Sequence, residues 1–253
     1  MTRPLVAINL ACKAIAVLLW FLGYRWVAVV FFFGPDFFLL YALFVPSAQG
    51  LGPVITRFQT DRKEVWLTID DGPDEQDTPR ILDLIDRYGA KATFFVIGER
   101  AARHPDLVAE IKRRGNEVAH HTQTHPVALF WCASRFRVRR ELDDALKVLA
   151  GAGIRPRWFR SPVGIKNIHL SEALKERQLA AVAWSVRGCD TVCRDPERVK
   201  ARIMRGVKPG AILLVHEGAG VSPRVRIRAI EGVLSALKAS GYACVLPDPG
   251  QMR

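Results

Sequence analysis

The chain has 253 residues, 49% of them hydrophobic and 25% charged, which fits one sizeable α/β domain plus a short appendage. Lysine and arginine outnumber aspartate and glutamate 37 to 25, a formal net charge of +12. That field suits phosphate-rich partners, but no zinc-finger spacing or RNA-recognition aromatic motif accompanies it, so nucleic acid is not expected and an anionic membrane surface is.

From the N-terminus, residues 5–22 form an apolar run broken only by Asn9 and Lys13, and 26–45 form a second with Gly34-Pro35-Asp36 in its middle. Each is about long enough to cross a bilayer core, for which roughly 20 residues are needed. Gly23-Tyr24-Arg25 reads as a tight turn between them. The stretch outlasts the apolar region of a signal peptide and ends in no small-residue cleavage site. We therefore expect residues 1–50 to be a hydrophobic membrane anchor of one or two spans, 51–63 a linker and 64–253 the catalytic domain. With two spans, Arg3, Arg57, Arg62 and Lys63 share a side against Arg25 alone, which favours a cytoplasmic domain; with one span or a re-entrant second run the domain lies outside.

Beyond residue 64, β-rich apolar runs at 65–69, 93–97, 117–119, 158–160, 180–185, 211–216 and 242–246 alternate with segments of helical period. Ile81, Leu82, Leu84, Ile85 and Tyr88 share a helical face ending at Gly89, and similar stripes end at Gly115, Gly151 and Gly241. Asp195-Pro196-Glu197 reads as a helix start. Repeated βα units predict a parallel sheet or barrel whose functional residues follow the strands. The five cysteines, Cys12, Cys132, Cys189, Cys193 and Cys244, show no paired metal-site spacing and read as free thiols, which points to a reducing compartment.

Two clusters stand where function is expected. Thr68-Ile69-Asp70-Asp71-Gly72-Pro73 puts adjacent carboxylates at the end of the first strand. Neighbouring side chains on a strand face opposite ways, so both serve one site only if the backbone bends, which the Gly-Pro pair can supply. After the third strand, His121-Thr122-Gln123-Thr124-His125-Pro126 sets two imidazoles four residues apart, on one side of a helical turn. Two neutral imidazoles and a carboxylate form a three-ligand set for Zn²⁺ with an open position.

These motifs resemble those of the polysaccharide deacetylase family, the NodB-homology or carbohydrate esterase family 4 domain, over about residues 62–247. The first is similar to TFDDGP and the second to H-[ST]-x-x-H-P. Phe159-Arg160-Ser161-Pro162-Val163-Gly164 resembles the third, Trp184-Ser185-Val186 with Asp190 the fourth, and Leu214-Val215-His216 the fifth. Arg187, Thr191 and Glu217 depart from the usual family residues. The resemblance implies a distorted (β/α)7 barrel of the NodB-homology type preceded by the N-terminal anchor, and a hydrolase of linear amides that removes an N-acyl group, acetyl first, from an amino sugar. Asp71, His121 and His125 would bind a divalent metal, Zn²⁺ first with Co²⁺ or Ni²⁺ as alternatives. Asp70 would be the general base, Arg160 its partner, His216 the general acid and Asp190 the residue that orients it. Pro162, Gly164, Trp184 and Leu214 would contact substrate. His104, His120 and His169, with Cys189 and Cys193, are expected to be structural or surface residues.

Residues 127–140 mix Leu129, Phe130, Trp131 and Phe136 with Arg135, Arg137, Arg139 and Arg140, which reads either as a core helix or as a surface that presses on the bilayer. Beside the anchor, the second reading favours a glycolipid or polyprenyl-phosphate-linked amino sugar over a soluble polymer. The rivals are a deformylase or cyclic-amide hydrolase on the same fold and a non-enzymatic, membrane-associated sugar-binding protein. No protein partner is indicated.

Overall fold

The computed structural model describes residues 2–218 and 220–252; the side chains of Thr2, Arg3, Pro4 and Val6 are excepted, so the charge assigned to Arg3 above lies outside the described residues. Helices α1 (Thr2–Phe21) and α2 (Arg25–Phe44) form an antiparallel hairpin turned at Gly23, whose φ is +87°. The second helix runs unbroken through Pro35, so the second apolar run is one helix rather than a re-entrant pair. By length and composition α2 can span a membrane or serve as a signal sequence, and α1 carries the shorter apolar stretch Ala7–Phe21. Inside the hairpin Asp36 accepts hydrogen bonds of 2.8 Å from both Asn9 Nδ2 and Lys13 Nζ, tying the two helices in register.

A parallel sheet follows, built from β1 (Glu64–Gly72), β2 (Ala92–Val96), β3 (Glu117–His120), β4 (Trp158–Phe159), β5 (Ala180–Ala181), β6 (Val186–Arg187), β7 (Ala211–His216) and β8 (Ala243–Cys244). Its order is β5-β4-β3-β2-β1-β7-β6, with β8 paired to the start of β1. Of the strand expected at 180–185 only Ala180–Ala181 is regular, as β5 paired with β4 at one edge, and β6 lies just beyond it at Val186–Arg187, paired with β7 at the other. One short stretch of chain thus serves both edges, and the sheet curls into the expected distorted barrel. Residues 55–58 seal the same gap, Ile55 bridging Val182 and Arg57 bridging Ala211.

Alternation along β1 explains the layering. Val65, Leu67 and Ile69 point outward into the cluster formed with α3 (Asp77–Tyr88) and the later helices, while Trp66 packs inward with Phe95, Trp158 and Ile212. Burying each such side chain contributes about 1.5–3 kcal/mol. The stripe Ile81, Leu82, Leu84 and Ile85 covers the sheet, and α3 stops at Gly89, left-handed at φ 61°. Helices α4 (Gly98–Arg103), α5 (Pro105–Arg113), α6 (Arg135–Gly151), α7 (Leu170–Glu176), α8 (Pro196–Gly206) and α9 (Pro223–Ala239) complete the shell. Asp195 caps α8 as its sequence predicts, accepting from Glu197 N–H and Arg198 N–H. All five cysteines are free thiols.

Candidate active site

The inward positions of β1 are Trp66, Thr68 and Asp70, and the register sets Thr68 beside Leu214 and Asp70 beside His216 on β7. Beyond Asp70 the pairing with β2 slips by one residue, a bulge between Asp70 and Gly72, and Asp71 takes the left-handed conformation at φ 72°. This bulge, rather than the Gly-Pro pair, turns Asp71 to the side already occupied by Asp70. The peptide Gly72-Pro73 is cis.

The two imidazoles also meet by a route other than the expected helical turn. Residues 121–126 form a loop in which Thr122 (φ 64°) and His125 (φ 55°) are left-handed. Glu141 on α6 holds that loop: its buried carboxylate accepts from the N–H groups of Gln123 and Thr124 at 3.0 and 2.9 Å and from Thr124 Oγ1 at 2.7 Å. His121 and His125 then lie with ring centroids 4.8 Å apart.

Asp71 Oδ1 sits 3.4 Å from His121 Nε2 and 3.2 Å from His125 Nε2. These separations approach the edge of a tetrahedron, about 3.3 Å for ligand distances of about 2.0–2.1 Å, and all three atoms lie within 4.8 Å of one another. The oxygen is buried with no hydrogen-bond partner, while His121 Nδ1–H donates to Arg160 O at 2.8 Å, leaving its Nε2 lone pair toward Asp71. A carbonyl that accepts from the far ring nitrogen and so fixes the tautomer is typical of metal-ligating histidine. Burial, and then the neighbouring His121, push His125 down to about 4, so it is neutral near pH 7. Burial works against ionisation of Asp71, but the close approach of His121 and the fields of the three imidazoles hold its carboxyl well below the usual range. The donor set fits a divalent cation.

Asp70 is only 3% exposed and faces the same space, its Oδ2 lying 3.8 Å from His121 Nε2. Its Oδ1 accepts from Arg160 Nη1 at 2.6 Å. Arg160 is buried and directs three further donors to Thr68 Oγ1, Val182 O and Ala183 O, with Phe95 stacked 4.1 Å beneath. Opposite, His216 Nδ1–H donates to Asp190 Oδ1 at 2.9 Å and its backbone N–H to Oδ2 at 2.7 Å. Burial alone would lower the His216 pKa, but the bond and charge of Asp190, with Asp70 and Asp71 nearby, push it up to about 9. The site thus holds a neutral imidazole for coordination and a protonated one for donation.

Gly164 (φ 75°) and Trp184 meet so closely that a Cβ on the glycine would lie 2.8 Å from the indole and 2.5 Å from Pro46. Pro162 and Leu214 are buried and Trp184 half-buried. His120 is fully buried, donating from Nε2 to Leu142 O, whereas His104 faces Glu75 at the surface and His169 precedes α7. Of residues 127–140, Phe130 enters the core while Leu129, Trp131 and Phe136 stay exposed, and Arg135 and Arg139 pair with Glu172 and Glu176.

Four supporting groups escaped sequence reasoning. Besides Glu141, Arg100 Nη1 donates to Asp71 O at 2.7 Å. Buried Asp77 accepts from Arg226 Nε at 2.6 Å and from Gly218 N–H at 2.8 Å, bracing the turn after His216. Glu217 is enclosed beneath Gly72, and burial raises it to about 8. A signal existed for Glu141: it interrupts the apolar stripe of Val138, Leu142 and Ala145.

Residues 57–182 match the family model for polysaccharide deacetylase. A chitooligosaccharide deacetylase from Bradyrhizobium is 33% identical over 71% of this chain and 87% of its own. A peptidoglycan-N-acetylglucosamine deacetylase from Bacillus cereus is 32% identical over 77% and 91%. Among solved structures, a family 4 carbohydrate esterase from Streptomyces lividans with acetate superposes at TM-score 0.67 and 28% identity, covering 75% of this chain and 95% of its own. A CE4-family pseudoenzyme from Bacillus anthracis gives 0.68 and 27%, covering 76% and 66%. This chain belongs to the polysaccharide deacetylase family.

Proposed function

We propose that the chain is a membrane-anchored, metal-dependent hydrolase that removes the acetyl group from an N-acetylated amino sugar of a cell-envelope glycan, with N-acetylglucosamine as the leading candidate. The observation that carries this reading is the unsatisfied Asp71 Oδ1 facing two imidazole Nε2 atoms, beside Asp70 and opposite a protonated His216. A pseudoenzyme shares the fold, so activity depends on side chains, and none of the expected catalytic set is missing here.

A divalent ion held by Asp71, His121 and His125 would polarise the amide carbonyl and acidify water. Asp70 takes the proton of the attacking water on Oδ2, because Oδ1 is held by Arg160. His216 gives its Nε2 proton to the departing amine, since Asp190 occupies Nδ1. Water thereby adds its oxygen to the acyl carbon, the C–N bond breaks, and acetate and a free amine leave. Each proton transfer is worth about 10²–10⁴-fold in rate. Trp184, Gly164 and Leu214 would supply an apolar side to the pocket, suited to a methyl group.

The anchor reading draws on Trp26 and Phe21, 86% and 82% exposed on the hairpin, an apolar surface of the kind that marks membrane or protein contact. The charge balance of Arg57, Arg62 and Lys63 against Arg25 favours a cytoplasmic domain, which paired C-terminal phosphatase and fluorescent fusions would test. For the activity itself, Zn²⁺-loaded protein is expected to release acetate from chitotetraose faster than formate from the matched N-formyl oligomer. Release of formate alone would favour the deformylase reading.

A further inference from the structure

A cavity of about 580 Å³ lies beside the hairpin, separate from the carboxylate–imidazole cluster. Leu5, Leu10, Phe38 and Leu39 line it from the helices, Leu51 from the segment that follows them and Ile168 from the catalytic domain. Its size falls among the about 300–1,000 Å³ of small-molecule sites. The walls are hydrocarbon except for Asn9 and Asp36, whose side chains already bond one another.

From Ile168 the chain leads directly to the active-site rim. Lys166 N–H donates to Leu43 O at 2.8 Å, and its Nζ to Val45 O at 2.5 Å and Pro46 O at 3.1 Å. The end of α2 is therefore clamped to the loop that carries Pro162 and Gly164. Pro46 and Trp184 both close on Gly164, the Trp184 ring lies 5.8 Å from the Arg160 guanidinium, and Arg160 holds Asp70. On the other flank, Trp131 meets Phe44 with ring centroids 5.9 Å apart. A catalytic mouth fastened to the end of a membrane-crossing helix reaches only what lies at the bilayer surface. A cavity continuous with the lipid-facing helices can hold a chain that starts there.

Resting on the N-acyl hydrolase reading above, we infer that the substrate is lipid-linked: an acetylated amino sugar joined through phosphate to a long polyprenyl chain. The chain lies in the cavity beside α1 and α2, and the sugar reaches between Asp70 and His216. The net charge of +12 suits the anionic linker.

The test uses full-length, Zn²⁺-loaded protein in nanodiscs, with N-acetylglucosamine carried on undecaprenyl diphosphate or on the short citronellyl diphosphate. The long-chain substrate should show a kcat/KM at least about tenfold higher. Leu39→Trp, which fills the cavity, should bring it toward the citronellyl value. Leu10→Trp, on the exposed lip, repeats the test if the first variant fails to match the wild type in thermal unfolding and metal content. Equal rates for the two substrates, or an advantage that survives a correctly folded variant, would overturn the inference. Native mass spectrometry separates failure of the inference from failure of the activity. Preferential retention of undecaprenyl phosphate over phosphatidylglycerol, lost in the variants, supports the cavity even if nothing is hydrolysed, and equal retention overturns it.

Discussion

The two halves of the site treat the same residue type in opposite ways. On the β3 side, His125 is half-buried, and desolvation together with the neighbouring His121 outweighs the pull of Asp71 at 3.2 Å, so its pKa falls to about 4. On the β7 side, His216 is clasped at Nδ1 and at its own backbone N–H by one carboxylate, and its pKa rises to about 9. Desolvation presses on both; a dedicated acidic partner decides the sign. The first half therefore suits coordination and the second proton donation. Asp70, bonded to Arg160 and facing His121, stands between them.

Experiments can disable one half and leave the other. Stripping the ion with a chelator should abolish acetate release and leave the fold intact by circular dichroism, with Zn²⁺ restoring the rate. Next in size, Asp70→Asn or His216→Asn should each lower kcat by about 10²–10⁴-fold, read by acetate release, without releasing the metal. Glu141→Gln acts on the coordinating half alone, loosening the 121–125 loop, and should weaken metal affinity by about 10–100-fold in a chelator competition. The smallest change expected at neutral pH comes from Asp190→Asn. His216 is a donor below about 9 and loses its proton as pH rises through that value. Without the Asp190 carboxylate the alkaline limb of the rate profile should move to lower pH, with metal affinity unchanged.

Much of this division was legible in the residues. Asp70, Asp71, His121, His125, Arg160, Asp190 and His216 all lie in short motifs near strand ends, where local pattern and function coincide. Local geometry was less accessible. The turn at Asp71 comes from a bulge against β2, and the approach of His121 to His125 from a loop held by Glu141, so each depends on a partner distant in sequence. The strand expected at 180–185 is regular only at Ala180–Ala181, because the chain then crosses to the other edge of the sheet and pairs there at Val186–Arg187, a closure set by distant strands. The clamp between Lys166 and the end of α2 joins residues about 120 positions apart, a contact that no local periodicity encodes.

The measurement that bears most directly on the account is a metal count by elemental analysis, paired with acetate release, on wild type, Asp70→Asn, His216→Asn and His125→Ala. The account predicts about one ion per chain in the first three and none in the last, with rapid acetate release from the wild type alone. An ion retained in His125→Ala, an ion lost from His216→Asn, or wild-type release from Asp70→Asn would contradict it.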